Sequence, residues 1–187
     1  MDIKVKREEY ADFVRSISPI LRDIFKLYVE RKLNINVLKY CDKPNSEPRL
    51  KLKKIFKYIE KGDEEGKEAQ IILDALNKEF GKFTDSALAA SNLNAIIEAF
   101  ETNKQIIEMV KTLRRLEKNV RNIAAHQVVS INDEKIKEGS SDKEGKNGKT
   151  SKQIVQMIQM IAQKAKITRV GNWNSYQEMN EYIKGLI

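Results

Sequence analysis

Apolar residues recur at steps of three and four along nearly all of the 187-residue chain, and no run of length shows the alternation of a half-buried strand. A chain patterned in this way has to cover each apolar stripe with another helix, so the expected fold class is an all-α helical bundle, read as one domain over residues 1–187. The first stripe (Tyr10, Phe13, Val14, Ile17, Ile20, Leu21, Ile24, Leu27, Tyr28) predicts a helix over about 6–32, with a restart at Ser18 because Pro19 suits a first helical turn. Two prolines and several turn formers between Leu33 and Pro48 predict a short helical turn and a loop. Helices are then expected over about 50–61, with Leu52, Ile55, Phe56 and Ile59 inward, and over 67–80, with Phe80 inward and Gly81 as C-cap. Gly62 to Gly66 separates them, and Thr84 or Asp85 is placed to cap the next helical tract.

The longest helical tract runs from Ser86 to about Ser130, with a break expected near Ser91–Asn94 and with Ile96, Ile97, Phe100, Ile106, Val110, Leu113, Leu116, Val120 and Ile123 inward. After it, residues 132–150 contain almost no apolar side chain and three glycines, which predicts a mobile loop. Within that loop Gly145-Lys-Asn-Gly-Lys-Thr150 has the ending of a phosphate-binding P-loop, but Lys143 stands where the motif needs its first glycine, and no apolar strand precedes it. Nucleoside triphosphate binding is rejected there. Two closing helices are expected, one capped by Thr150 or Ser151 and one by Ser175 with Glu178, with Trp173 as a packing anchor before the second.

Lysine and arginine outnumber aspartate and glutamate 35 to 27, a formal charge of +8 that favours phosphate-bearing partners over acidic proteins. One cysteine, Cys41, can form no internal disulfide and is expected to pack as a small hydrophobe. With a single histidine it cannot assemble a tetrahedral zinc site, so no metal and no cofactor are expected. The amino end has no apolar signal-like run and no segment approaches the ~20 apolar residues of a membrane span, so a cytoplasmic protein without membrane contact is expected.

The one histidine, His126, lies five positions after Arg121. Imidazole can take or give a proton near neutral pH, and guanidinium grips phosphate through two donors, a pairing suited to phosphodiester chemistry. On a regular helix, at about 100° per residue, Arg115, Asn119, Asn122 and His126 form a polar stripe opposite the apolar one. Arg115, Lys118 and Asn119 are candidate substrate contacts, and an ordinary solvated face accounts for the same stripe. Arg121 falls well around the helix from His126, so one copy would not converge the pair on a single phosphate. Cleavage through a 2′-hydroxyl uses both a base and an acid, and a two-fold contact along this helix would bring two histidines and two arginines together.

The run Arg121-Asn122-Ile123-Ala124-Ala125-His126 matches the arginine-to-histidine signature of HEPN ribonucleases. With Tyr10–Leu21, Val37–Cys41, the continuation to Ser130 and Tyr176–Ile183, the chain resembles the carboxy-terminal half of the Csm-type accessory ribonucleases of type III CRISPR systems. The resemblance implies a metal-independent endoribonuclease that cleaves single-stranded RNA as a homodimer, in antiviral defence. Arg121, Asn122 and His126 of both copies would form the catalytic site. It also implies activation by oligoadenylate through a sensor domain, to which nothing in this sequence is similar. Two other readings stay open. One is a HEPN toxin ribonuclease, although the tyrosine its common form carries two residues after the histidine is here Val128. The other is a non-catalytic basic helical module that binds RNA.

Overall fold

The computed structural model describes residues 9–42, 47–121 and 131–167. The described residues form an all-α bundle, as the periodicity predicts, with helices α1 (Tyr10–Arg31), α2 (Leu52–Ile59), α3 (Glu64–Phe80), α4 (Ala90–Phe100), α5 (Lys104–Leu116), α6 (Asp133–Ser140) and α7 (Ser151–Lys164). A 3-10 turn covers Val37–Tyr40, and a π-helical stretch, Glu117–Arg121, continues α5. The expected helix around Tyr176, with its Ser175 and Glu178 cap and Trp173, lies outside the described residues.

Helix α1 is the central post. Its stripe Phe13, Val14, Ile17, Leu21, Phe25, Tyr28 and Val29 is wholly buried, chiefly against α4 and also against α7 and the π stretch. The expected restart at Ser18 is corrected: α1 runs unbroken through Pro19. The stripe is continuous across the proline, and burying it outweighs the one intrahelical hydrogen bond that proline cannot donate.

The expected break near Ser91–Asn94 is also corrected. Those residues lie inside α4, where Asn92 Oδ1 accepts the Ala89 amide at 2.9 Å. The chain breaks ten residues later, at Glu101–Asn103. There the Glu101 carboxylate accepts the Thr102 and Asn103 amides, at 2.9 and 2.8 Å, and the Tyr28 hydroxyl of α1. Asn103 Oδ1 then caps α5 through Gln105 N at 2.9 Å. Partial burial works against the Glu101 charge, yet these donors hold its pKa below the ordinary carboxylate value. Burial first, and then Glu101, push the Tyr28 phenol well above its usual value.

Three two-residue strands, too short to show a period-two pattern, form a small antiparallel sheet in the order β1 (Cys41–Asp42), β2 (Arg49–Leu50), β3 (Ser86–Ala87), with Cys41 opposite Leu50 and Leu50 opposite Ser86. This pairing explains why Asp85 does not cap the helix after it. Its carboxylate reaches back to Leu52 N at 2.9 Å and Lys51 Nζ at 3.0 Å, so it caps α2. Helix α3 starts at Glu64, three residues earlier than expected, because Asp63 caps it through Gly66 N at 2.9 Å. Gly81 ends it at φ 75°, as expected of a C-cap glycine. Phe56 and Phe80, expected inward, are instead exposed at 48% and 42%.

Cys41 packs as expected, at 1% exposure, and burial pushes its thiol up to about 11. A buried acid whose folded pKa is raised contributes stability that is complete below its unfolded pKa and lost as pH rises through the folded one. Stability should therefore decline between about pH 9 and about pH 11, and the buried phenols of Tyr28 and Tyr40 act in the same direction at higher pH. At pH 8 an aromatic disulfide reagent should titrate no thiol in the folded chain and one after denaturation; rapid native labelling would contradict the buried placement.

The reading of 132–150 as an unstructured loop is corrected. Asn132 Oδ1 accepts Lys135 N at 3.0 Å and starts α6, and Ile136, its one large apolar residue, is fully buried. Beyond α6 the Asp142 carboxylate accepts Lys146 N at 2.8 Å, Glu144 N at 3.1 Å and Asn147 Nδ2 at 2.9 Å. Two of these donors, Lys146 N and Asn147 Nδ2, belong to the segment with the P-loop-like ending, and a carboxylate already occupies them. Thr150 caps α7 as expected, in a box with Gln153. One apolar anchor and a set of turn-forming polar groups suffice where composition alone suggests a loop.

Candidate functional site

The π stretch Glu117–Arg121 is held on two sides. On the α1 side, Ser18 Oγ donates to the Glu117 carboxylate, which Arg114 Nη1 also contacts at 2.7 Å. On the opposite side the backbone of α6 comes close. A Cβ built on Gly139 would lie 1.9 Å from Val120 Cγ2, so only glycine admits this approach. Asn119 Nδ2 donates to Gly139 O at 3.0 Å and Arg115 Nε to Ser140 O at 3.1 Å, which satisfies carbonyls at the end of α6.

The inward residues Ile106, Val110, Leu113, Leu116 and Val120 are all buried, as expected. Of the polar stripe, Arg115 and Asn119 face α6, and Arg115 is further tied to Glu108 and Thr112, both at 2.8 Å. Lys118 is exposed, and no hydrogen bond or ion pair joins it to another described residue. Arg121 closes the π stretch. Asn122 and His126 lie outside the described residues. The angle between Arg121 and His126 falls on residues outside those described, but the regular helix assumed to lead into the motif does not hold through Glu117–Arg121. A π turn bonds i to i+5 and advances each residue by less than the about 100° of an α-helix, so a regular-helix projection does not carry past Glu117. Periodicity gave no warning, since the apolar step from Leu116 to Val120 suits either helix.

Among the described residues no three histidine, cysteine, aspartate or glutamate side chains cluster as metal ligands, and no helix is long and apolar enough to cross a membrane. Over residues 1–184 the sequence matches the family model described as Cas_Csm6 HEPN domain. The chain belongs to this family. No curated protein matches it. This HEPN chain is thus a member of a CRISPR-associated family of ribonucleases, whose members in general act on RNA and pair as dimers. Membership gives the π stretch its interest, because a local departure from α geometry falls where the arginine-to-histidine motif begins.

Proposed function

We propose that this HEPN chain is an endoribonuclease domain that cleaves single-stranded RNA without a metal, at a site completed by a second copy, in CRISPR antiviral defence. The observation that carries the reading is the Arg121–His126 motif in a chain of this family, entered from a π stretch fixed between α1 and α6. In the proposed reaction a 2′-hydroxyl loses its proton to a base and its oxygen bonds to the adjacent phosphorus. The P–O5′ bond breaks and the departing oxygen takes a proton from an acid. The products carry a 2′,3′-cyclic phosphate and a 5′-hydroxyl.

The nucleophile belongs to the substrate, so the protein's part is proton transfer and charge stabilisation. Arg121 is assigned to the scissile phosphate and its developing charge, His126 to proton transfer or phosphate contact, and Asn122 to orientation. Each chain has one histidine, so a base and an acid of that type require two copies. Oligoadenylate activation would act through a sensor domain outside this chain.

The test is incubation of end-labelled single-stranded RNA with the protein in excess EDTA, with product termini identified. Cyclic phosphate and 5′-hydroxyl ends are expected. A strict metal requirement, or 5′-phosphate ends, would overturn the mechanism, and salt-sensitive binding without cleavage would favour the non-catalytic module.

A further inference from the structure

Beside the π stretch runs a groove of about 560 Å³ between the end of α3, one face of α4 and one face of α5. One wall is cationic. Lys111, Arg114 and Arg115 share one face of α5, and Lys118, in the π stretch that follows, lines the same groove. Lys111, Arg114 and Arg115 are neutralised by Glu98 at 3.2 Å, Glu117 at 2.7 Å and Glu108 at 2.8 Å, leaving Lys118 as the cation at the motif end. The facing rim carries Phe80, the last residue of α3, whose ring is 42% exposed and lines the groove.

The lining also includes Asn94, which is 3% exposed. Its Nδ2 donates to Glu98 at 2.7 Å, but its buried Oδ1 has no hydrogen-bond partner among the described residues. A buried acceptor left unpaired is costly, and native structures seldom keep one without a purpose. Composition and size suit one nucleotide: an aromatic face for stacking, a carboxamide with an unused acceptor at the wall and a cation for phosphate.

We infer that this groove is a nucleobase subsite, which takes one unpaired base of the RNA strand beside the scissile phosphate, stacked on Phe80 with its polar edge against the Asn94 carboxamide, whose unpaired Oδ1 turns to meet it. The inference rests on the ribonuclease reading and adds to it a fixed register between a bound base and the cleaved bond. Lys118, three residues before Arg121, meets the phosphate that joins the two sites.

The experiment measures binding of 2′-O-methyl RNA, which lacks the attacking hydroxyl, by the wild-type chain and by Phe80→Ala, across oligonucleotides carrying one abasic position each. Cleavage of unmodified RNA is measured in parallel. In the wild type one abasic register should weaken binding about tenfold. Phe80→Ala, which removes a ring contact with Phe83 and is compared at a temperature well below its melting transition, should weaken binding of intact RNA by a similar factor and lose the dependence on register. A flat profile in the wild type, or an unchanged profile in Phe80→Ala, overturns the subsite. If RNA is cleaved while the profile is flat, the ribonuclease reading survives and the subsite falls. If one register matters but nothing is cleaved, the reverse holds, and absence of RNA binding removes both. Asn94→Ala adds a second readout: preference among the four bases at the sensitive register should flatten, whereas a purely structural Asn94 would shift the melting temperature and leave preference unchanged.

Discussion

Replacing His126 with alanine should lower the rate of RNA cleavage about a thousandfold, within the range removal of a general acid or base produces, while far-UV circular dichroism stays that of the wild type. Arg121→Ala should cost a comparable factor, and Arg121→Lys should restore little of it. A planar guanidinium grips phosphate through two parallel donors, and an ammonium cannot reproduce that fork. The two variants should also part in saturation behaviour: loss of a proton-transfer group lowers kcat, while loss of a phosphate contact raises KM as well. Wild-type cleavage by His126→Ala would leave the basic charge as the functional feature and point to the binding module. Full activity in a strictly monomeric variant would remove the two-copy site and leave the nuclease intact.

Gly139→Ala should damage both stability and cleavage, although Gly139 lies outside the motif. The added Cβ would sit 1.9 Å from Val120 Cγ2 and 3.4 Å from Val120 Cβ, and Val120 is a stiff side chain already buried in the core. Either α6 moves away or the π stretch does. Overpacking of this kind costs about 1–3 kcal/mol, which for a chain of this size lowers the melting temperature by about 3–10 °C. Moving α6 would also stretch the hydrogen bonds of Asn119 and Arg115 to Gly139 and Ser140. Because Arg121 comes directly after Val120, cleavage measured well below the melting transition should fall several-fold beyond any loss of folded protein. Wild-type cleavage in a destabilised Gly139→Ala would show that the motif does not need α6 for its placement.

The elements were legible where one helix supplies its own signal. The stripes of α1 and α5 and the caps at Gly81 and Thr150 are local, and each lies where periodicity puts it. Legibility failed where a side chain reaches across the fold. Asp85 caps a helix 33 residues earlier in the chain, and the corner at Glu101 is fixed by Tyr28 from 73 residues away. Helix α6 was missed because its stability comes from one buried isoleucine and from donors on another helix. Phe56 and Phe80 fit inward stripes by spacing, yet Phe56 sits half-way along α2 on the edge of a lysine-lined groove, and Phe80 ends α3 with Phe83 as its ring neighbour. At the candidate site, the histidine was conspicuous by being alone. The partners of Arg115 and Asn119 were hidden, since a polar stripe reads the same whether it meets water or the carbonyls at a helix end.

The π stretch bears on how this chain tolerates change in length. Such a turn holds one residue more than an α-helix would over the same rise, so its removal leaves a shorter and regular helix with no intrinsic penalty. Substitution at Lys118 leaves the frame untouched. Loss of a single residue between Glu117 and Arg121 would turn the residues that follow it by about 100° relative to α1 and α5. The direction in which the chain leaves Arg121 is therefore encoded as a count of residues, and a deletion there would also unseat Val120 and the contacts of Glu117 and Asn119.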